Sequence, residues 1–229
     1  MSQAVPELEF DMAEIVNNLV TEDDEPVDNI LSEKLQRLLT IILYAAWPPP
    51  PDEDAPLAPR RFWAAANVGI YYTARYPLVP DVFISLDAAP PANFTEKKGR
   101  CYFVWDQGKA PDVVVEIVSH KKGGELTTKL REYATMGATY YVVFDPLQLL
   151  SEDMIRVYEP GLPRRYRLRD DYELPLVGLS LTLWDGSFEG LDYPHWLRWC
   201  DAEGRLLPTP DELTAQARQA AAQEAARAA

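Results

Sequence analysis

A mixed α/β fold, with helices packed on a sheet that contains parallel neighbours, is predicted by three features of this 229-residue chain. Val113, Val114, Val115, Ile117 and Val118 make a near-continuous apolar run, the texture of a central strand buried on both faces and covered by helices. A glycine turn at Gly123 and Gly124 follows, then a helical stripe (Leu126, Leu130, Tyr133, Ala134), a C-terminal Gly137 and an aromatic strand at residues 140–144. Strand, helix and strand within about 35 residues imply a right-handed crossover. Third, Ile30, Leu31, Leu35, Leu38, Leu39, Ile42, Leu43 and Ala46 form an amphipathic helix with Asp28 or Asn29 as N-cap.

The remaining elements follow in order. Residues 1–29 carry nine acids and no base, with a weak helical pattern (Met12, Ile15, Val16, Leu19), and read as a loosely held arm. The helix over 30–46 stops at four consecutive prolines, residues 48–51. Residues 62–74 and 79–87 read as strands, and 101–105 as an aromatic strand before a turn at Gly108. Three shorter strands are expected within 154–159, 164–169 and 178–191. The Trp-rich stretch 193–200 reads as core closure or an interface. From Asp211 an alanine-rich helix has the composition of a poorly anchored tail or a dimerisation segment. The expected organisation is therefore an arm (1–29), one domain (30–200) and a helical tail (201–229).

Composition bounds the function. The net charge of −14 argues against a nucleic-acid partner when taken whole. Yet residues 30–200 hold 22 acids and 19 bases, so most of the acidity belongs to the ends. Two cysteines, Cys101 and Cys200, suit a reducing, cytoplasmic setting better than a disulfide framework. No apolar run approaches a membrane span and no secretory leader is visible, so a soluble, unexported protein is expected.

Glu116 is the anomaly, since a carboxylate inside a valine run needs a partner, a proton or a metal. Asp112, at the strand entrance, can stay wet. Pro80–Asp81 opens the preceding strand, and Glu125 and Lys129, four apart, share one helix face. Two carboxylates from adjacent strands form an oxygen-ligand site suited to Mg²⁺ or Mn²⁺, and a lysine beside them equips it for phosphoryl hydrolysis. An ion pair between Glu116 and Lys129 that seals the helix onto the sheet predicts the same geometry. His120 and His195 lack ligand spacing and are expected at the surface, and Ser119 has no convincing triad.

The stretch from Val79 to Asp87 together with Pro111 to Pro146 resembles the Uma2 family (DUF820) of the PD-(D/E)xK nuclease superfamily. The resemblance implies a restriction endonuclease-like core and metal-dependent phosphodiester hydrolysis with Mg²⁺ or Mn²⁺. It implies Asp81 as the first metal-binding aspartate and Glu116 as the acid of the (D/E)xK element. Val118 stands where the superfamily pattern has its lysine, and Lys129 on the next helix is the implied replacement, ahead of Lys121 and Lys122 in the glycine-bounded loop. Glu33 on the first helix matches the place of an additional acidic ligand. DNA is the implied partner and a homodimer the implied assembly. Val118 and the acidic total motivate the alternative, a catalytically silent interaction module with the same fold. Lys97, Lys98, Arg100, Lys109, Lys121 and Lys122, and separately Arg164, Arg165, Arg167 and Arg169, are candidate phosphate contacts. Alternating charge on an edge strand is the other account of the arginines. The acidic arm could occupy a basic groove as a phosphate mimic.

Overall fold

In the computed structural model of the protein, residues 29–52, 55–73, 76–95, 97–163 and 165–228 are described, those at 97 and 98 without their side chains. The acidic arm, Arg164 and the side chains of Lys97 and Lys98 lie outside the described residues.

Helix α1 (Ile30–Ala46) begins where the Asn29 side-chain oxygen accepts from Ser32 N–H at 2.9 Å. The prolines that follow prevent a further turn. Its apolar stripe, Leu35, Leu38, Leu39, Ile42 and Leu43, is completely buried. Six strands make the main sheet in the order β1-β3-β5-β6-β7-β8: β1 Phe62–Ala66, β3 Val82–Leu86, β5 Val113–Ile117, β6 Tyr140–Phe144, β7 Ile155–Pro160 and β8 Tyr166–Leu168. The valine strand β5 is central, as expected. It pairs in parallel with β6 through the crossover helix α3 (Thr128–Met136), while the other pairings are antiparallel.

Strand alternation then distributes the core. Val113, Val115 and Ile117 pack toward α1 and a second sheet, β9 (Glu173–Leu174), β10 (Leu179–Phe188) and β11 (Leu191–Asp201). Val114 and Val118 pack toward α3 and the small parallel pair β2 (Ile70–Tyr71) and β4 (Tyr102–Phe103). Glu116 has the same parity as Val114, so it faces the α3 side.

Several local expectations change. Residues 62–74 do not form one strand, because Asn67 takes a left-handed φ of 55° and separates β1 from β2. The aromatic strand at 101–105 is only two residues long and turns into a short helix α2 (Val104–Gln107), closed by Gly108 at φ 75°. The stretch 193–200 does close the core, but as part of β11, hairpinned to β10. Residues Glu189 (φ 47°) and Gly190 (φ 78°) supply the two positive φ angles of that turn. Trp196 and Trp199 are buried, and the Trp199 indole N–H donates to Leu39 O of α1 at 2.9 Å. Asp112 is buried rather than wet: Lys109 bonds both its oxygens and Leu86 N–H donates to it at 2.7 Å.

The final helix α4 (Pro210–Ala228) has no buried residue, yet its first turn is anchored. Glu212 accepts from Thr209 N–H at 2.7 Å while Thr209 Oγ1 accepts from Glu212 N–H at 3.2 Å, a reciprocal capping box. The same carboxylate accepts from Arg198 of β11 at 2.8 Å. Among the described residues no helix is long and apolar enough to cross a membrane, and both cysteines are free.

Candidate active site

The register of the central strands brings the two predicted carboxylates together. Val82 pairs with Val115 in antiparallel register, which sets Asp81 opposite Glu116 on the same face of the sheet. Asp81 Oδ2 accepts from Ile117 N–H at 2.6 Å, and Oδ1 accepts from the Gln36 amide of α1 at 2.7 Å. One side chain thus ties the starts of α1 and β3 to the end of β5.

Glu116 is 2% exposed. Tyr133 O–H donates to its Oε1 at 2.6 Å and the Lys129 ammonium to its Oε2 at 2.8 Å, both from α3. Lys129 also reaches Glu125 Oε1 at 3.3 Å. Glu125 is not on the helix as expected but in the turn before it, since α3 begins at Thr128. Burial pushes the Glu116 carboxyl up to about 7, against the pull of Lys129 and with the help of the neighbouring Asp81 charge. Burial opposes the Lys129 charge, but Glu116 and Glu125 outweigh it and hold the ammonium above the ordinary lysine range.

These groups line one cavity of about 470 Å³. Asp81, Glu116, Glu125 and Glu132 contribute acids, Lys129 the one ammonium among the lining residues, and Tyr76, Pro77, Leu78 and Val79 an apolar lip. His120, expected at the surface, also lines it and bonds Ser119 at 2.9 Å. Among the described residues no carboxylate completes a triad with that pair. Val118, at the superfamily's lysine position, is buried in the core on the α3 side, so the ammonium arrives from the helix instead.

Glu33 is not brought to the site. It is paired with Arg37 and Lys34 on the exposed side of α1, and the hydrogen bond from Arg37 lowers its pKa. Gln36 and Ser32 are what α1 sends inward. Neither stood out in the sequence, where Ser32 with Gln36 and Glu33 with Arg37 are equally polar pairs one turn apart beside the apolar stripe.

Among the described residues, four of the expected phosphate contacts are engaged within the protein. Lys109 is bonded to Asp112, and Arg100 to the carbonyls of Phe94 and Thr95. Arg167 and Arg169 pair with Glu159, and Arg169 also with Asp171. Because β8 is the last strand of its sheet, the alternating charges there fit an edge strand better than a nucleic-acid groove. Lys121 and Lys122 remain exposed on the loop leaving β5.

A titration follows from the burial of Glu116. Between about pH 4.5 and 7 the folded protein keeps a proton that the unfolded chain releases, so stability falls as pH rises through that window. The loss is on the order of 3 kcal/mol and levels off above the folded pKa. Urea denaturation of chelator-treated protein should show this slope, and Glu116→Gln should flatten it; parallel profiles would refute the assignment.

The mixed sheet thus offers acids from adjacent strands, and an ammonium from its crossover helix, to one cavity. The chain belongs to the Uma2 family: the family model, described as "Putative restriction endonuclease", matches residues 13–183. Among solved structures, one titled "Crystal structure of a putative nuclease belonging to DUF820", from Anabaena variabilis ATCC 29413, is similar with a TM-score of 0.41 and 16% identity. The match covers 74% of this chain and 80% of that one. No curated protein matches the chain.

Proposed function

We propose that the protein is a divalent-cation-dependent endonuclease that hydrolyses phosphodiester bonds in DNA at the Asp81/Glu116/Lys129 cavity. The observation that carries this reading is that strand register sets two carboxylates, Asp81 and Glu116, side by side on one face of the sheet at an open cavity. An ion pair that merely sealed α3 onto the sheet needs Glu116 and Lys129 alone and gives no reason for a second carboxylate beside them or for the cavity. Paired carboxylates at a cavity favour binding a cation.

The donor set fits Mg²⁺ or Mn²⁺. Asp81 and Glu116 offer hard oxygen ligands, and among the described residues no third His, Cys, Asp or Glu converges with them into a closed cage. Two carboxylates with room for water and phosphate oxygens is the usual mode of Mg²⁺ binding beside a phosphate. When bound, the ion would supply Lewis-acid polarisation of the phosphoryl group and acidify water. The chain's own residues do the rest. Gln36, Ile117 N–H and Tyr133 fix the carboxylate orientations, and Lys129 places a positive charge where negative charge grows on the phosphoryl oxygens. Lys121 and Lys122, exposed beside His120 at the cavity, are the basic residues placed to meet the DNA backbone.

Calorimetric titration with Mn²⁺, followed by incubation with supercoiled plasmid in Mg²⁺, tests the proposal. Saturable binding and accumulation of nicked and linear plasmid are expected, both lost in Glu116→Ala. Absence of cation binding, or equal cleavage by the variant, would overturn it. Cleavage confined to an RNA substrate would overturn the choice of DNA.

A further inference from the structure

Glu125 takes no part in the chemistry above, and its surroundings are unusual. Its residue is 3% exposed, Oε1 meets Lys129 at 3.3 Å, and Oε2 has no hydrogen-bond partner among the described protein groups. Burying a carboxylate oxygen unsatisfied is unfavourable, and Glu125 lines the cavity.

The local backbone is built around this side chain. A Cβ at residue 123 would stand 2.0 Å from Glu125 Oε1 and 2.7 Å from Oε2, so an alanine there would displace the Glu125 carboxylate rather than the backbone. Tyr141, from the floor of the sheet, donates its hydroxyl to Glu125 O at 2.9 Å and pins the turn. The carboxylate is thereby folded over residue 123 against the Lys129 ammonium.

We propose that Glu125 is a positioning residue that holds the Lys129 ammonium in the cavity when Glu116 engages a divalent cation; this rests on the function proposed above. Glu116 Oε2 is the closest acceptor of Lys129, and the same carboxylate is a ligand of the cation in that reading. A divalent cation on Glu116 both competes for that oxygen and repels the ammonium. A second carboxylate, supplied from the turn before α3, keeps Lys129 at the reacting phosphate.

Gly123→Ala acts on Glu125 from outside the cavity and should reproduce Glu125→Gln, which a helix-surface salt bridge would not require. The test uses full-length protein labelled with ¹⁵N-lysine, with Lys129→Met locating the Lys129 ammonium resonance. Wild type should show a slowly exchanging signal both with and without Mg²⁺. In Glu125→Gln and in Gly123→Ala, proton exchange should accelerate about tenfold or more and the signal should vanish on adding Mg²⁺, while Glu132→Gln leaves exchange unchanged.

On DNA, kcat should fall about 10- to 100-fold with KM and Mn²⁺ affinity within about threefold of wild type. Unchanged exchange in either variant would overturn the proposal, as would a loss of Mn²⁺ affinity in Glu125→Gln, which would make Glu125 a ligand. Wild-type protein that neither binds cation nor cuts DNA would refute the proposed nuclease function alone, because the cation-free exchange rates still decide whether Glu125 holds Lys129.

Discussion

Asp81→Asn is expected to lower plasmid cleavage by about a thousandfold and to leave the fold intact. The substitution removes one negative charge from the proposed cation pair and preserves side-chain shape. Both Asp81 oxygens accept hydrogen bonds, from the Gln36 amide and from Ile117 N–H, so an asparagine must present its own N–H₂ to one of them. Ile117 N–H is fixed by the strand, but the Gln36 amide can rotate to offer its oxygen to the asparagine nitrogen. Stability should therefore stay within about 1 kcal/mol of wild type. Glu116→Gln is a less clean probe, since it keeps the Tyr133 hydrogen bond but sets an amide donor against the Lys129 ammonium. The check is paired: cleavage and Mn²⁺ titration on one side, urea denaturation on the other. Wild-type cleavage by folded Asp81→Asn would remove Asp81 from the site.

The largest expected stability effect lies away from the cavity, at the junction of β11 and α4. Arg198 is 0% exposed, its guanidinium sits 4.5 Å from the centre of the Trp184 ring, and Glu212 engages both of its terminal nitrogens, at 2.8 and 3.4 Å. Glu212→Ala removes the counter-charge of a buried cation and one half of the capping box together. It should lower the free energy of unfolding by about 2–4 kcal/mol, less than a fully buried pair because Glu212 retains some exposure. Limited proteolysis should then release α4 before the sheet is cut. Arg198→Met combined with Glu212→Leu should recover most of the loss, because no unpaired charge stays buried. A loss below about 1 kcal/mol for Glu212→Ala would mean that Arg198 is adequately held by Leu207 O and Trp184 alone.

Much of the architecture was legible because it rests on local periodicity. The α1 stripe, the valine run of β5, the crossover through α3 and the aromatic strand β6 each show their burial pattern within a short window, and the structure reproduces them. Positions where a few backbone angles override that pattern were not legible. Asn67 breaks one apparent strand, and the Glu189–Gly190 turn lacks the usual Asn-Gly signal, so β10 and β11 did not read as one hairpin. The capping box of α4 is present in the sequence as Thr209 and Glu212, but the alanine-rich stretch after it has no apolar stripe to mark the helix as anchored.

At the site, Glu116 announced itself as a charge inside an apolar strand, a contradiction that composition alone exposes. Lys129 was implied by the family resemblance, and the crossover helix carries it to Glu116. From the residues alone Asp81 was a Pro-Asp strand opening, which the family resemblance implied to be a metal-binding aspartate; the antiparallel register sets it across from Glu116. Glu33 and Gln36 could be told apart only by the rotation of α1 on the sheet, which turns Glu33 to Arg37 and Gln36 to Asp81. Arg167 on β8 and Arg169 just after it, either phosphate contacts or edge-strand charges in sequence, are paired in space with Glu159 and Asp171.

By itself the sequence determined which segments are buried and that one buried acid demands a partner, since hydrophobic patterning is a property of neighbouring residues. Only the tertiary structure decided which acids share a cavity, which bases are already neutralised and that residue 123 lies against the Glu125 carboxylate. Those outcomes depend on strand register and helix rotation, which bring together side chains far apart in the chain and leave no trace in local spacing.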